Sequence, residues 1–78
     1  MDITKCTIEV RRHALLRALE RDITPEMVEA TLKGGKIERF GKHYIRFSRP
    51  YKYFKVICIG EFVSDRIKII TIERGNQR

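Results

Sequence analysis

At Gly34-Gly35 the apolar residues of this chain change their spacing from a period near 3.6 to a period of 2. No other feature narrows the fold so far, because a stretch with helical spacing does not bury its stripe as a strand, nor the reverse. An α+β domain is expected. Two N-terminal helices should pack on one face of a mainly antiparallel sheet of three or four strands, leaving the other face open. A short strand in residues 3–9, ITKCTIE, would precede the helices.

On a helical wheel of about 100° per residue, Leu15, Leu16, Ala18 and Leu19 fall on one broad arc opposite Arg17. Leu15, Leu16 and Leu19 should therefore face the core, with His13, Arg17 and Arg21 as a stripe on the other side. The second helix has clear boundaries. Thr24 can cap it, Pro25 suits its first position, and Glu26 favours the positive end of its dipole. Ile23 and Val28 can close a hydrophobic staple across the cap. Met27, Val28, Thr31 and Leu32 form its apolar stripe, and Gly34-Gly35 would supply a left-handed stop.

Beyond the glycines, residues 42–48, KHYIRFS, turn Lys42, Tyr44, Arg46 and Ser48 one way and His43, Ile45 and Phe47 the other, towards the core. Arg49 and Pro50 should break that strand. Residues 53–60 are apolar on both faces from Val56 to Ile59, as in a central strand. A turn near Ser64 and Asp65 leads into residues 66–73, RIKIITIE, and Lys36 to Phe40 could form one more strand.

With 78 residues, the chain has apolar surface for one domain only, and residues 74–78 read as a polar tail that frays. No run approaches the roughly 20 apolar residues of a membrane span. The start MDITKC lacks the basic-then-apolar pattern of a secretory leader, so a cytoplasmic protein is expected. Cys6 and Cys58 are far apart with no CxxC spacing, which favours free thiols and leaves a Cys6–Cys58 pairing open. A zinc site from Cys6, His13, His43 and Cys58 would use every Cys and His without one local ligand pair, so neither metal nor other cofactor is expected.

The net charge of +7 is confined to the second half. Residues 1–35 balance six Lys and Arg against six Asp and Glu, whereas from residue 36 eleven cations face four carboxylates. A polyanionic partner follows, with nucleic acid ahead of a membrane because no amphipathic basic helix carries the excess. Lys36 to Lys55 holds seven cations and six of the seven aromatic residues. Cations for phosphates between flat rings for unstacked bases suit single-stranded RNA, and Lys42, Tyr44, Arg46, Arg49, Lys52 and, past the last strand, Arg74 are its candidate contacts. The alternative is that Phe47 and Phe54 are core and the cations are solvated residues guarding a sheet edge.

His13 can exchange a proton near neutral pH. Arg17 and Arg21, one and two turns on, could hold a phosphate and stabilise the charge that develops when a ribose 2′-hydroxyl attacks it. That reaction needs no metal, in keeping with scattered carboxylates. A helix showing His and Arg to solvent is also ordinary, and the residue types alone do not separate the two.

The string HALLRALERDIT, then PEMVEATLKGGKIE, then IKIITIE, resembles a family of short uncharacterised prokaryotic proteins. Its members read strand, H-A-x-x-R-x-x-x-R-G-[IV]-[ST], a second helix ending at Gly, and strands closing on I-[IV]-T. The likeness spans about Ile8 to Glu73, and its specific part is the spacing of His13, Ala14, Arg17, Arg21, Ile23, Thr24 and Thr71. That family is grouped with the RelE/ParE-like toxins and the wider barnase, colicin and RelE ribonuclease fold. The resemblance implies His13, Arg17 and Thr71 as functional residues. RelE-type toxins rely more on Lys, Arg and Tyr than on His, so their catalytic set does not transfer whole. Asp22 stands where the family has Gly.

Three readings follow. The first is a toxin-type, metal-independent endoribonuclease leaving 2′,3′-cyclic phosphate ends, with His13, Arg17, Arg21 and Thr71 at the scissile bond. The second is a non-catalytic RNA- or ribosome-binding module, and the third is a protein-interaction module whose open face takes an acidic antitoxin segment or a second copy. The catalytic reading expects His13, Arg17 and Thr71 to converge on one concave basic surface, with the His13–Arg21 stripe bordering the cationic strands.

Overall fold

A computed structural model describes residues 7–76. Its order is β1 (Thr7–Val10), α1 (Arg12–Glu20), α2 (Pro25–Gly34), β2 (Lys36–Phe40), β3 (Tyr44–Pro50), β4 (Phe54–Val63) and β5 (Arg66–Asn76). The chain is α+β, two helices packed on a mixed sheet, with α1 against β5 and α2 against β3 and β4. No helix among the described residues is long and apolar enough to cross a membrane.

The sheet has five strands, not three or four, in the order β1-β5-β4-β3-β2. Lys36 to Phe40 is the fifth. β4 is central, as its two apolar faces require, and only the β1–β5 pair is parallel. The helices are not strictly N-terminal, since β1 precedes them. Of the stretch assigned to that first strand, residues 3–6, including Cys6 and any pairing of it, lie outside the described residues. Arg49 and Pro50 continue β3, and Pro50, pairing with Lys55, closes the ladder, an end where a missing amide costs least. Residues 74–76 are not a frayed tail: Arg74, Gly75 and Asn76 pair with Val56, Lys55 and Phe54.

Ile45 and Phe47 of β3, Val56 and Cys58 of β4 and Ile67, Ile69 and Ile72 of β5 turn to the helices and are buried. Each of the larger side chains contributes about 1.5–3 kcal/mol by leaving water. Burial also pushes the Cys58 thiol up to about 12. Ile23 and Val28 are buried beside the cap, where Thr24 Oγ1 accepts from the Met27 amide at 3.2 Å. Gly35 does not end α2 left-handed: its φ is −80°. Glycine is needed there because a Cβ would lie 2.5 Å from the carbonyl oxygens of Ser48 and Thr31. Between the helices it is Asp22 that is left-handed, at φ 62°, a conformation Asp tolerates better than most residues.

The buried face of α1 is rotated from the one the leucines suggest. Ala14 and Ala18 are buried, whereas Leu16 and Leu19 are 55% and 49% exposed. Small side chains let the helix lie close on β5. The rotation moves His13, Arg17 and Arg21 from the outer side of α1 to the margin of its contact with the sheet.

Candidate functional site

Residues 67–72 alternate as Ile67, Lys68, Ile69 and then slip, with Ile70 directly after Ile69. The slip is a β-bulge: Gly60 pairs with Ile69, Ile59 pairs with Thr71, and Ile70 has no partner on β4. The β1 ladder stops at the same level, at Val10 and Ile69. From there the chain turns away, with the Arg11 amide donating to the Ile69 carbonyl at 3.3 Å, and enters α1. The outer edge of β5 beyond Ile69 thus faces a helix and no strand among the described residues.

A cleft of about 300 Å³ lies in this notch, lined by His13, Ala14, Arg17, Arg21, Ile70, Thr71 and Ile72. His13 and Arg17 come one turn apart along α1 and Arg21 follows at its C-cap, with Ala14 also on the lining. Arg21 Nη1 donates to the Ile72 carbonyl at 3.5 Å, bracing the helix against the strand edge. No carboxylate lines the cleft. None of His13, Arg17 and Arg21 takes part in an ion pair among the described residues. An imidazole and two guanidiniums over a polar strand edge can hold a phosphate and exchange a proton beside it. His13 also borders a broader hollow with Glu9, Arg11, Arg12, Leu16 and Lys68.

The strand cations do not join this cleft. Lys42 sits in the β2–β3 turn, and Tyr44 and Arg46 project from the open face of β3. The register aligns Glu38, Arg46, Ile59 and Thr71 in one cross-strand row, so Arg46 is two strands, roughly 10 Å, from Thr71. Arg46 Nη2 is held by Glu38 at 2.6 Å, and that hydrogen bond and charge keep the Glu38 carboxyl below its ordinary range. Tyr44 is stacked on Phe40, with centroids 5.5 Å apart. The expected junction of the His13–Arg21 stripe with the Lys42–Arg46 segment is therefore absent, because β4 and β5 stand between them. His43 is not turned to the core. It is exposed in the β2–β3 turn.

Arg49 lies on the helix-covered face, near Gly34 and over the Tyr51 ring at 5.7 Å, with its buried Nε lacking a hydrogen-bond partner. Lys52 is at the β3–β4 turn, 5.3 Å from the ring of Tyr53. Arg74 does reach the cleft's end: its Nη1 donates to the Arg21 carbonyl at 3.4 Å and lies 3.9 Å from Asp22. Sequence reasoning missed the bulge, the burial of Ala14 and the Arg74–Asp22 contact. The consecutive isoleucines at 69 and 70 and the alanines four apart on α1 were the available signals. Among the described residues no three of His, Cys, Asp and Glu gather as a metal site would require.

Comparison of the chain with protein-family models, curated proteins and solved structures gave no match. The functional reading stands on the residues of the notch.

Proposed function

We propose that this is a RelE/ParE-like, toxin-type protein that acts on RNA, with the α1–β5 notch as a metal-independent endoribonuclease site. One observation carries the reading: His13, Arg17 and Arg21 line one cleft with Thr71, and no carboxylate shares it. A bound phosphodiester would lie along the two guanidiniums. His13 takes the proton from the ribose 2′-hydroxyl, and the 2′-oxygen forms a bond to phosphorus. The bond to the 5′-oxygen breaks and water protonates that leaving group, giving a 2′,3′-cyclic phosphate and a 5′-hydroxyl. Arg17 and Arg21 stabilise the added charge on the phosphorane, and Thr71 can hydrogen-bond a phosphoryl oxygen. An acidic antitoxin segment would inhibit by occupying the same cations.

A second reading has its own support. Apart from His13, the cleft lining holds no histidine, carboxylate, thiol, lysine or tyrosine to serve as a second acid or base, which suits a module that binds RNA or the ribosome without cutting it. Incubation of the purified protein with free and ribosome-bound RNA separates the two. The expected products are 2′,3′-cyclic ends, formed about 10²–10⁴ times more slowly by His13→Ala. Cutting that His13→Ala leaves intact rules out its role as base. RNA binding with no cutting leaves the second reading.

A further inference from the structure

The ring-bearing surface linked to the cleft, through Arg74, is not the strand face around Tyr44 but the β3–β4 turn. Tyr51 N donates to Phe54 O at 2.7 Å, closing a tight hairpin whose tip is Lys52 and Tyr53. Behind the tip, Tyr51 and Phe54 stack with centroids 5.3 Å apart and an interplanar angle of 14°. Guanidiniums cover both ends of that stack, Arg49 over Tyr51 at 5.7 Å and Arg74 over Phe54 at 4.2 Å. Arg74 in turn donates to the Arg21 carbonyl, at the end of the cleft. A chain of contacts therefore runs from Arg49 through Tyr51, Phe54 and Arg74 to Arg21. At the tip, Tyr53 is 77% exposed, the most exposed large apolar side chain described, with Lys52 beside its ring.

We infer that the Lys52–Tyr53 tip is a stacking platform for an unpaired base of the single-stranded RNA whose phosphates occupy the α1–β5 cleft. The inference rests on the RNA reading of that cleft and adds its substrate class: an extended strand, not a duplex. The stacked rings of Tyr51 and Phe54 brace the base of the hairpin, and Tyr53 projects beyond them into solvent. Aromatic platforms of this kind tolerate any base, since every base has a π-face. Thr71, paired with Ile59, and Phe54 at the base of the tip are five residues apart along β4, roughly 17 Å. A dinucleotide in the cleft cannot span that distance, whereas an octanucleotide can.

The test uses the full chain and 2′-O-methylated probes, which lack the attacking hydroxyl: fluorescein-labelled octauridylate, read by anisotropy, and the dinucleotide UpU, read by calorimetry. Tyr53→Ala should weaken octauridylate binding about fivefold or more and leave UpU binding unchanged. Tyr53→Phe, which keeps the π-face, should bind octauridylate like the parent. Unchanged octauridylate binding by Tyr53→Ala, alongside a loss on Arg17→Glu, overturns the platform while the cleft reading stands. Equal weakening of both probes by Tyr53→Ala also overturns it, since the effect then passes through the fold. No binding of either probe by the parent overturns the RNA reading and the platform with it.

Discussion

The α1–β5 notch and the open face around Arg46 are both cationic, yet their charges are differently available. Arg46 is clasped by Glu38, and its aromatic neighbour Tyr44 is stacked on Phe40. In the notch, His13, Arg17 and Arg21 meet no carboxylate on the lining. The contrast inverts what charge counting suggests, since the notch draws its cations from the neutral first half of the chain and the excess of seven lies in the second. A cation contributes to anion binding by what else it touches, not by how many others lie near it in sequence.

The most severe test of that contrast is charge reversal on each side. Arg17→Glu sets a carboxylate against bound phosphate, a juxtaposition costing several kcal/mol, so RNA affinity should fall about a hundredfold or more. Arg46→Glu should lower it only a few-fold, by long-range repulsion that 0.3 M salt largely screens. Titrations of one RNA with both variants at two salt concentrations decide the matter. Equal losses would show that the open face binds RNA directly.

A smaller effect is expected from disturbing the notch from behind. Gly60 pairs with Ile69 beside the bulge, and a Cβ there would lie 2.7 Å from Ile67 Cγ2 and 3.0 Å from Ile69 Cδ1. Gly60→Ala should cost about 1–3 kcal/mol in urea unfolding. Because the displaced isoleucines adjoin the bulged edge, it should also weaken RNA binding a few-fold while the chain is still folded. Phe47→Leu, a core change nearer the far edge of the sheet, should lower stability without that effect. A Gly60→Ala protein that binds RNA normally would mean the bulge does not shape the site.

Much of this architecture was legible because local rules and tertiary packing agree. The change of period at Gly34-Gly35, the Thr24-Pro25 start of α2 and the doubly apolar β4 each named an element that is present. The grouping of His13, Arg17 and Arg21 followed from their four-residue spacing, but their position at the sheet margin did not. Ranking side chains by hydrophobicity turned α1 toward its leucines, whereas close approach to β5 selected Ala14 and Ala18. A wheel records apolarity and not interaxial distance. The bulge was not legible because residues 66–73 read as one continuous strand, which two successive isoleucines do not contradict. The strand cations were assigned to the site because a sequence shows their number and not the clasp of Glu38.

The smallest expected effect compares the two carboxylates that each stand beside an arginine. Asp22 lies 3.9 Å from Arg74 at the end of the cleft, and Glu38 lies 2.6 Å from Arg46 on the open face. Glu38 is the tighter partner, so removing it releases more cation, and if charge alone governed binding Glu38→Gln would gain more affinity for RNA. If the notch and the turn carry the RNA, the order reverses. Asp22→Asn should tighten binding about twofold, as loss of an exposed repulsive charge does, and Glu38→Gln should leave it unchanged. Asparagine tolerates the left-handed backbone as aspartate does, so this change tests charge without altering the turn. Asp22→Gly tests the backbone instead, and relief at φ 62° should raise the melting temperature by about 2 °C. Tighter binding by Glu38→Gln than by Asp22→Asn would return the RNA to the open face.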